Sequence, residues 1–255
     1  MDHVTSKDGT RIAYERQGNG AAVILVGGAL DDGSENAALA SELGAQFTVY
    51  NYARRGRGRS GDTQPYAVDR EIEDIAALIA KAGGSAHAYG VSSGGMFGLE
   101  AAAAGLPITT LAVYEVPYDP SDDAPDRYRE YAGHLAVALA DGRRGEAVGL
   151  FMRLAGSSAE EIAGARSSPY WPGLEGLAHT LAYDAACYGQ PPVARLATIT
   201  QPTLVATGAD AGFFAAAADA VAASMPHAER VILNGQGHSV DPKVLAPILG
   251  RFFTG

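Results

Sequence analysis

Between Ser85 and Phe97 a run of small and β-prone residues meets a helix-forming run across the pentapeptide Gly90-Val91-Ser92-Ser93-Gly94. A G-x-S-x-G turn set between a strand and a helix has the layout of a nucleophile elbow. Its glycines are needed because the serine sits in a strained turn, where a Cβ on either flank would collide with nearby backbone. The turn lifts the Ser92 hydroxyl into the open, and the helix behind it aims unpaired N–H groups, that of Ser93 among them, at the same point. On its own the pentapeptide also fits a plain Gly/Ser-rich turn. What gives it meaning is the strand before it and the helix after it.

The rest of the chain supplies that context. Val4–Thr5 and Arg11–Glu15, joined through Lys7-Asp8-Gly9-Thr10, read as a hairpin. Ala22–Val26 is a continuous apolar run, as expected of a central strand covered on both faces. Further strands are predicted over 47–52, 85–90, 108–115, 202–207 and 229–233, with helices over 35–43, 68–82, 93–104, 213–225 and 241–252. Strands alternating with helices imply right-handed crossovers and a mostly parallel sheet with helices on both faces. From Pro117 to Arg195 the alternation stops, leaving helix-like segments near 126–141, 144–154 and 174–187 among seven prolines. The expected organisation is therefore an α/β core of residues 1–116 and 196–255, interrupted by a helical insertion at 117–195.

Composition narrows the function classes. A net charge of −10 disfavours nucleic acid and anionic membrane surfaces, both of which call for a basic patch. Arg54–Ser60 is basic and glycine-rich, yet it lacks both the Lys-Ser/Thr ending of a P-loop and a G-x-G-x-x-G spacing, so it reads as a structural loop. Cys187 is the single cysteine and has no metal-ligand spacing around it; no metal or cofactor is expected. The N-terminal residues lack a basic stretch followed by an apolar one, and no run approaches the roughly 18 apolar residues of a membrane span. A cytoplasmic bacterial protein, monomeric or homodimeric and acting on a small molecule, is the expectation.

Four short motifs occur in a fixed order: Gly27-Gly28-Ala29, Arg55-Gly56-Arg57-Gly58-Arg59-Ser60, the turn at Ser92, and Gly235-Gln236-Gly237-His238. Together they resemble the α/β-hydrolase family over essentially the whole chain. The resemblance implies a serine nucleophile at Ser92, a histidine base at His238, and an oxyanion hole built from the N–H groups of Ala29 and Ser93. Gly27 stands where the family usually carries histidine. For the acid, the family's usual position three residues past Gly208 holds Ala211, and Asp210 lies one residue early. Some members draw the acid from the end of the strand after the nucleophile helix, which here is Glu115. Glu115 is placed first and Asp210 second, because several strand ends can bring a carboxylate to an imidazole.

The insertion corresponds to the family's lid, and the substrate pocket is expected to involve Gly28, Leu30, Met96, Trp171 and Tyr183. Its aromatics can equally pack the helices onto the core. His179 and Asp184 are further polar groups near that region. The expected reaction is hydrolysis of a small ester or lactone through an acyl-enzyme. The alternatives are non-hydrolytic use of the scaffold, as a lyase or biosynthetic accessory enzyme, and an inactive ligand binder.

Overall fold

The structure, a computed structural model, describes residues 1–209 and 212–255. Its strands are β1 (Asp2–Thr5), β2 (Arg11–Gln17), β3 (Ala22–Val26), β4 (Thr48–Tyr52), β5 (Ala86–Val91), β6 (Ile108–Tyr114), β7 (Thr203–Gly208) and β8 (Ala228–Leu233). They form one eight-stranded sheet in the order β1-β2-β4-β3-β5-β6-β7-β8. The β1/β2 and β2/β4 pairs are antiparallel and all later pairs are parallel. Chain order and sheet order diverge at β3, so β3, β5 and β6 occupy the middle. Their carboxyl ends are where an open α/β sheet places its ligand sites.

Period-two alternation explains how the sheet is covered. Ile24 and Val26 of β3 face the cluster formed with helices α2 (Val68–Lys81) and α3 (Ser93–Ala103), through Ile75, Leu78, Met96 and Phe97. Val23 and Leu25 face the opposite cluster, with Leu39 and Leu43 of α1 (Ala37–Leu43) and Leu245 and Leu249 of α11 (Pro242–Thr254). Strands β5, β6 and β7 divide their residues between the same two clusters. This is why the central strands read as unbroken apolar runs. Each such leucine or isoleucine stabilises the fold by roughly 1.5–3 kcal/mol through burial.

Between β6 and β7 lie α4 (Ala124–Ala140), α5 (Arg144–Leu154), α6 (Ala159–Arg166), α7 (Trp171–Leu177), a 3-10 turn at Ala178–Thr180, α8 (Leu181–Ala185) and α9 (Val193–Leu196). No strand occurs there among the described residues. Helices α4 to α8 share a cluster of their own, which includes Tyr131, Leu135, Val148, Trp171 and Leu181, whereas Leu196 of α9 joins the main core. Ala29 and Leu30, from the turn after β3, pack against it. The remaining helix, α10 (Phe213–Ala223), joins β7 to β8.

The α4 and α5 expectations match closely, whereas the helix expected over 174–187 is two short helices around a 3-10 turn, with Pro172 in the first turn of α7. No helix among the described residues is long and apolar enough to cross a membrane.

Candidate active site

β5 ends at Val91 and α3 begins at Ser93, which leaves Ser92 alone in the turn at φ 53° and ψ −129°. The glycines act as the pattern predicts. A Cβ on Gly90 would come within 2.5 Å of the Gly94 carbonyl oxygen, and one on Gly94 within 2.3 Å of the Val26 oxygen. The Ser92 N–H donates to the Tyr114 carbonyl at 2.9 Å, tying the elbow to β6.

The non-glycine residues with left-handed backbone among those described are Leu30, Ser92 and Glu115. Ser92 and Glu115 directly follow the neighbouring strands β5 and β6, and Leu30 lies in the loop after β3. Such conformations cost on the order of 1–3 kcal/mol and persist where the surroundings hold them in place.

Glu115 follows β6 directly and is 1% exposed. Its Oε1 accepts the Gly208 N–H at 3.0 Å, and its Oε2 meets His238 Nδ1 at 2.7 Å. A carboxylate in this position accepts the proton on Nδ1 and leaves Nε2 as the lone-pair nitrogen of the ring. The His238 ring also stacks on Phe214, with centroids 4.9 Å apart and planes 12° from parallel. Tyr114 Oη donates to the Gly237 carbonyl at 2.6 Å and steadies the histidine loop. That loop can pass close to β7 only because residue 208 is glycine: a Cβ there would lie 2.0 Å from the Gln236 carbonyl oxygen. Asp210, the second candidate for the acid, lies outside the described residues.

Ser92 and His238 line one cavity of about 430 Å³, walled by Pro117, Tyr128, Phe151, Leu154, Tyr188 and Phe214. Arg127 and Arg153 also line it, and Asp119 pairs with Arg127.

The N–H groups of Ala29 and Ser93, the pair expected to face an oxyanion, donate to no backbone carbonyl among the described residues. Gly28 lies against Ser92, since a Cβ on it would come 3.2 Å from Ser92 Cβ. Its own N–H donates to Glu35 Oε2 at 2.9 Å. The space over Gly27 belongs to Asp31, whose Oδ2 lies 1.9 Å from where a Cβ would be. Asp31 Oδ1 in turn accepts the N–H groups of Gly33 and Glu35, both at 2.9 Å. An internal carboxylate scaffold thus orders the turn that has glycine in the histidine position. Burial pushes both Asp31 and Glu35 above the usual carboxylate range. The only sequence signal for these two acids is a D-x-x-x-E spacing that begins two residues after Ala29.

Most of the expected pocket residues lie elsewhere. Met96 is fully buried beneath α3 in the main core, because it falls on the sheet-facing side of that helix. Trp171 belongs to the cluster between the inserted helices, with Nε1 donating to Glu175 at 2.8 Å. Tyr183 stacks on Tyr66 with centroids 3.9 Å apart and donates to Asp62 at 2.7 Å. Leu30 lines a neighbouring cavity of about 680 Å³ together with Ala29, Asp31 and Glu35. Asp184 is fully buried in ion pairs with Arg54 and Arg57 rather than facing the Ser92 cavity. His179 faces Asp62 at 3.9 Å. His87 is bound to Thr110 at 2.8 Å and stacked on Phe253, while His3 and His134 are exposed.

Comparison with known proteins agrees with this architecture. Residues 23–247 match the alpha/beta hydrolase family. An alpha/beta hydrolase from Sphaerobacter thermophilus is 48% identical, with a TM-score of 0.90 over 99% of this chain and 100% of that one. An enol-lactonase from Burkholderia xenovorans, at 21% identity, has a TM-score of 0.73 over the full length of both chains. An esterase from Thermogutta terrifontis, at 22%, has the same TM-score over 99% of this chain and 97% of its own. The uncharacterized hydrolase YraK of Bacillus subtilis is 33% identical over 96 residues, which is 36% of this chain and 35% of that relative. The matched region runs from β3 to α11 and takes in the elbow, Glu115 and the His238 loop, and the chain belongs to the alpha/beta hydrolase family.

Proposed function

We propose that the protein is a serine hydrolase that cleaves a small carboxylic ester or lactone through an acyl-enzyme on Ser92. The observation that carries this reading is the 2.7 Å bond between Glu115 and His238 Nδ1, in a histidine that shares its cavity with a serine held in a strained elbow. His238 Nε2 takes the Ser92 proton as Oγ bonds to the substrate carbonyl carbon. The negative charge that develops on the carbonyl oxygen is met by the Ala29 and Ser93 N–H groups. Collapse breaks the ester C–O bond, and His238 hands its proton to the departing oxygen. Water, deprotonated by the same nitrogen, then attacks the acyl carbon; the acid leaves and Ser92 regains its proton. Glu115 keeps the ring in the tautomer that both steps use. The helices between β6 and β7 act as a cap that closes the acyl pocket over the sheet edge.

The test is a panel of p-nitrophenyl esters from acetate to octanoate, with several lactones, offered to wild type and Ser92→Ala. Turnover by wild type and none above background by the variant is the expected result. A folded wild type that hydrolyses nothing, or a Ser92→Ala variant as active as wild type, would overturn the reading.

A further inference from the structure

The peptide that carries the Ala29 N–H also carries the Gly28 carbonyl. In a trans peptide these two groups point in opposite directions, so whatever holds the carbonyl aims the N–H. The Gly28 carbonyl accepts a hydrogen bond from Arg57 Nη1. On the other side of the turn the Gly28 N–H is held by Glu35 at 2.9 Å, so both polar groups of residue 28 are fixed. A guanidinium on a carbonyl oxygen also polarises the amide, which makes its N–H a better donor.

Arg57 is 1% exposed, and its remaining contacts are few. Nη2 donates to Asp184 Oδ2 at 2.7 Å, while Nε meets no partner among the described residues. Asp184 sits on α8, within the helices inserted between β6 and β7. Its other oxygen takes Arg54 Nη1 at 2.8 Å, and Arg54 is itself forked onto Glu71 of α2. A chain of charged groups thus runs from the core helix α2, through the inserted helices, to the back of the Gly28–Ala29 peptide.

We infer that Arg57 is a positioning residue for the oxyanion hole. It sets the plane of the Gly28–Ala29 peptide and, through Asp184, makes that plane depend on how the inserted helices seat over the sheet. The inference rests on the serine-hydrolase reading above. It gives the basic loop Arg54–Ser60 a task that a purely structural loop would not have.

The experiment compares wild type, Arg57→Lys and Asp184→Asn on the best ester from the panel. It also measures binding of the matching trifluoromethyl ketone, which adds to a serine to give a charged hemiketal oxygen in the hole. Lysine keeps the charge but cannot fork between the carbonyl and Asp184. For Arg57→Lys, kcat is expected to fall about 10- to 100-fold, short of the loss of a whole oxyanion donor. KM should stay within about three-fold, since the ground-state carbonyl uses the hole little. Ketone affinity should fall by the same factor as kcat/KM. Asp184→Asn should show a smaller drop with the same split, and it carries the test if Arg57→Lys does not fold.

A folded Arg57→Lys with unchanged kcat and ketone affinity would overturn the inference, as would a change confined to KM or to thermal stability. If wild type neither turns over an ester nor binds the ketone at Ser92, the hydrolase reading fails and the inference fails with it. Failure in the variants alone leaves that reading standing.

Discussion

Glu115 is the residue on which the proposed chemistry turns, because it both orients His238 and joins β6 to the end of β7 through Gly208. Glu115→Gln keeps the shape but offers an amide to Nδ1, so kcat should fall by about 10²–10⁴ while the fold survives; steady-state kinetics and a thermal melt check this. Gly208→Ala tests the same junction from the other side. Its methyl would drive the Gln236 carbonyl away, costing about 1–3 kcal/mol and displacing His238, so stability and kcat should fall together. The resemblance in motif order pointed to Ser92, His238 and Glu115, with Asp210 as the other acid. The structure brings Glu115 to His238 and Ser92 to the same cavity, because strand ends decide which residues meet at the carboxyl end of a parallel sheet. The places of Met96, Trp171 and Tyr183 were not legible in the sequence. Composition marks them as candidates for lining an apolar cavity, but only packing decides which face of a helix meets the cavity and which meets the core.

At the scale of elements, strands and long helices followed from period and from glycine and proline punctuation, with ends within one or two residues in the core. The short helices of the insertion did not. α6 spans Ala159–Arg166 with a single buried residue, Ile162, so its apolar period is faint; its signal was the capping box Ser158-x-x-Glu161. The link between α8 and the core is also invisible locally, since Asp184 and Arg57 are 127 residues apart. Burial alone would raise the Asp184 carboxyl, but the Arg57 and Arg54 guanidiniums outweigh it and hold it below its ordinary 3.8. A carboxylate depressed in the folded state adds stability that is present above its unfolded value and lost as pH falls through the folded one. Asp184→Asn should therefore be less stable than wild type by about 3–5 kcal/mol near neutral pH, the cost of breaking a buried pair. The gap should close as pH drops below about 4. Denaturant melts of both proteins at neutral and acid pH check the sign.

For the molecule as a whole, the cavity at Ser92 sets the scale of what can react. At about 430 Å³ it lies toward the small end of the range for small-molecule sites, so rates should peak at short acyl chains and decline toward octanoate. Leu154→Ala, which trims one wall, should move that optimum to longer chains on the same ester series. A mechanism run by Ser92, His238 and Glu115 needs no added ion, and activity should be unchanged after prolonged EDTA treatment; a loss restored by a divalent metal would contradict it. Trp171 is the chain's single tryptophan, and it lies in the cluster between the inserted helices with the Arg166 guanidinium 5.6 Å from its ring. Its fluorescence, excited selectively over the tyrosines, is therefore a built-in optical probe of that one layer. Monitored beside far-ultraviolet circular dichroism, which reports backbone structure throughout the molecule, it can reveal whether the inserted helices loosen before the sheet does, with no label attached.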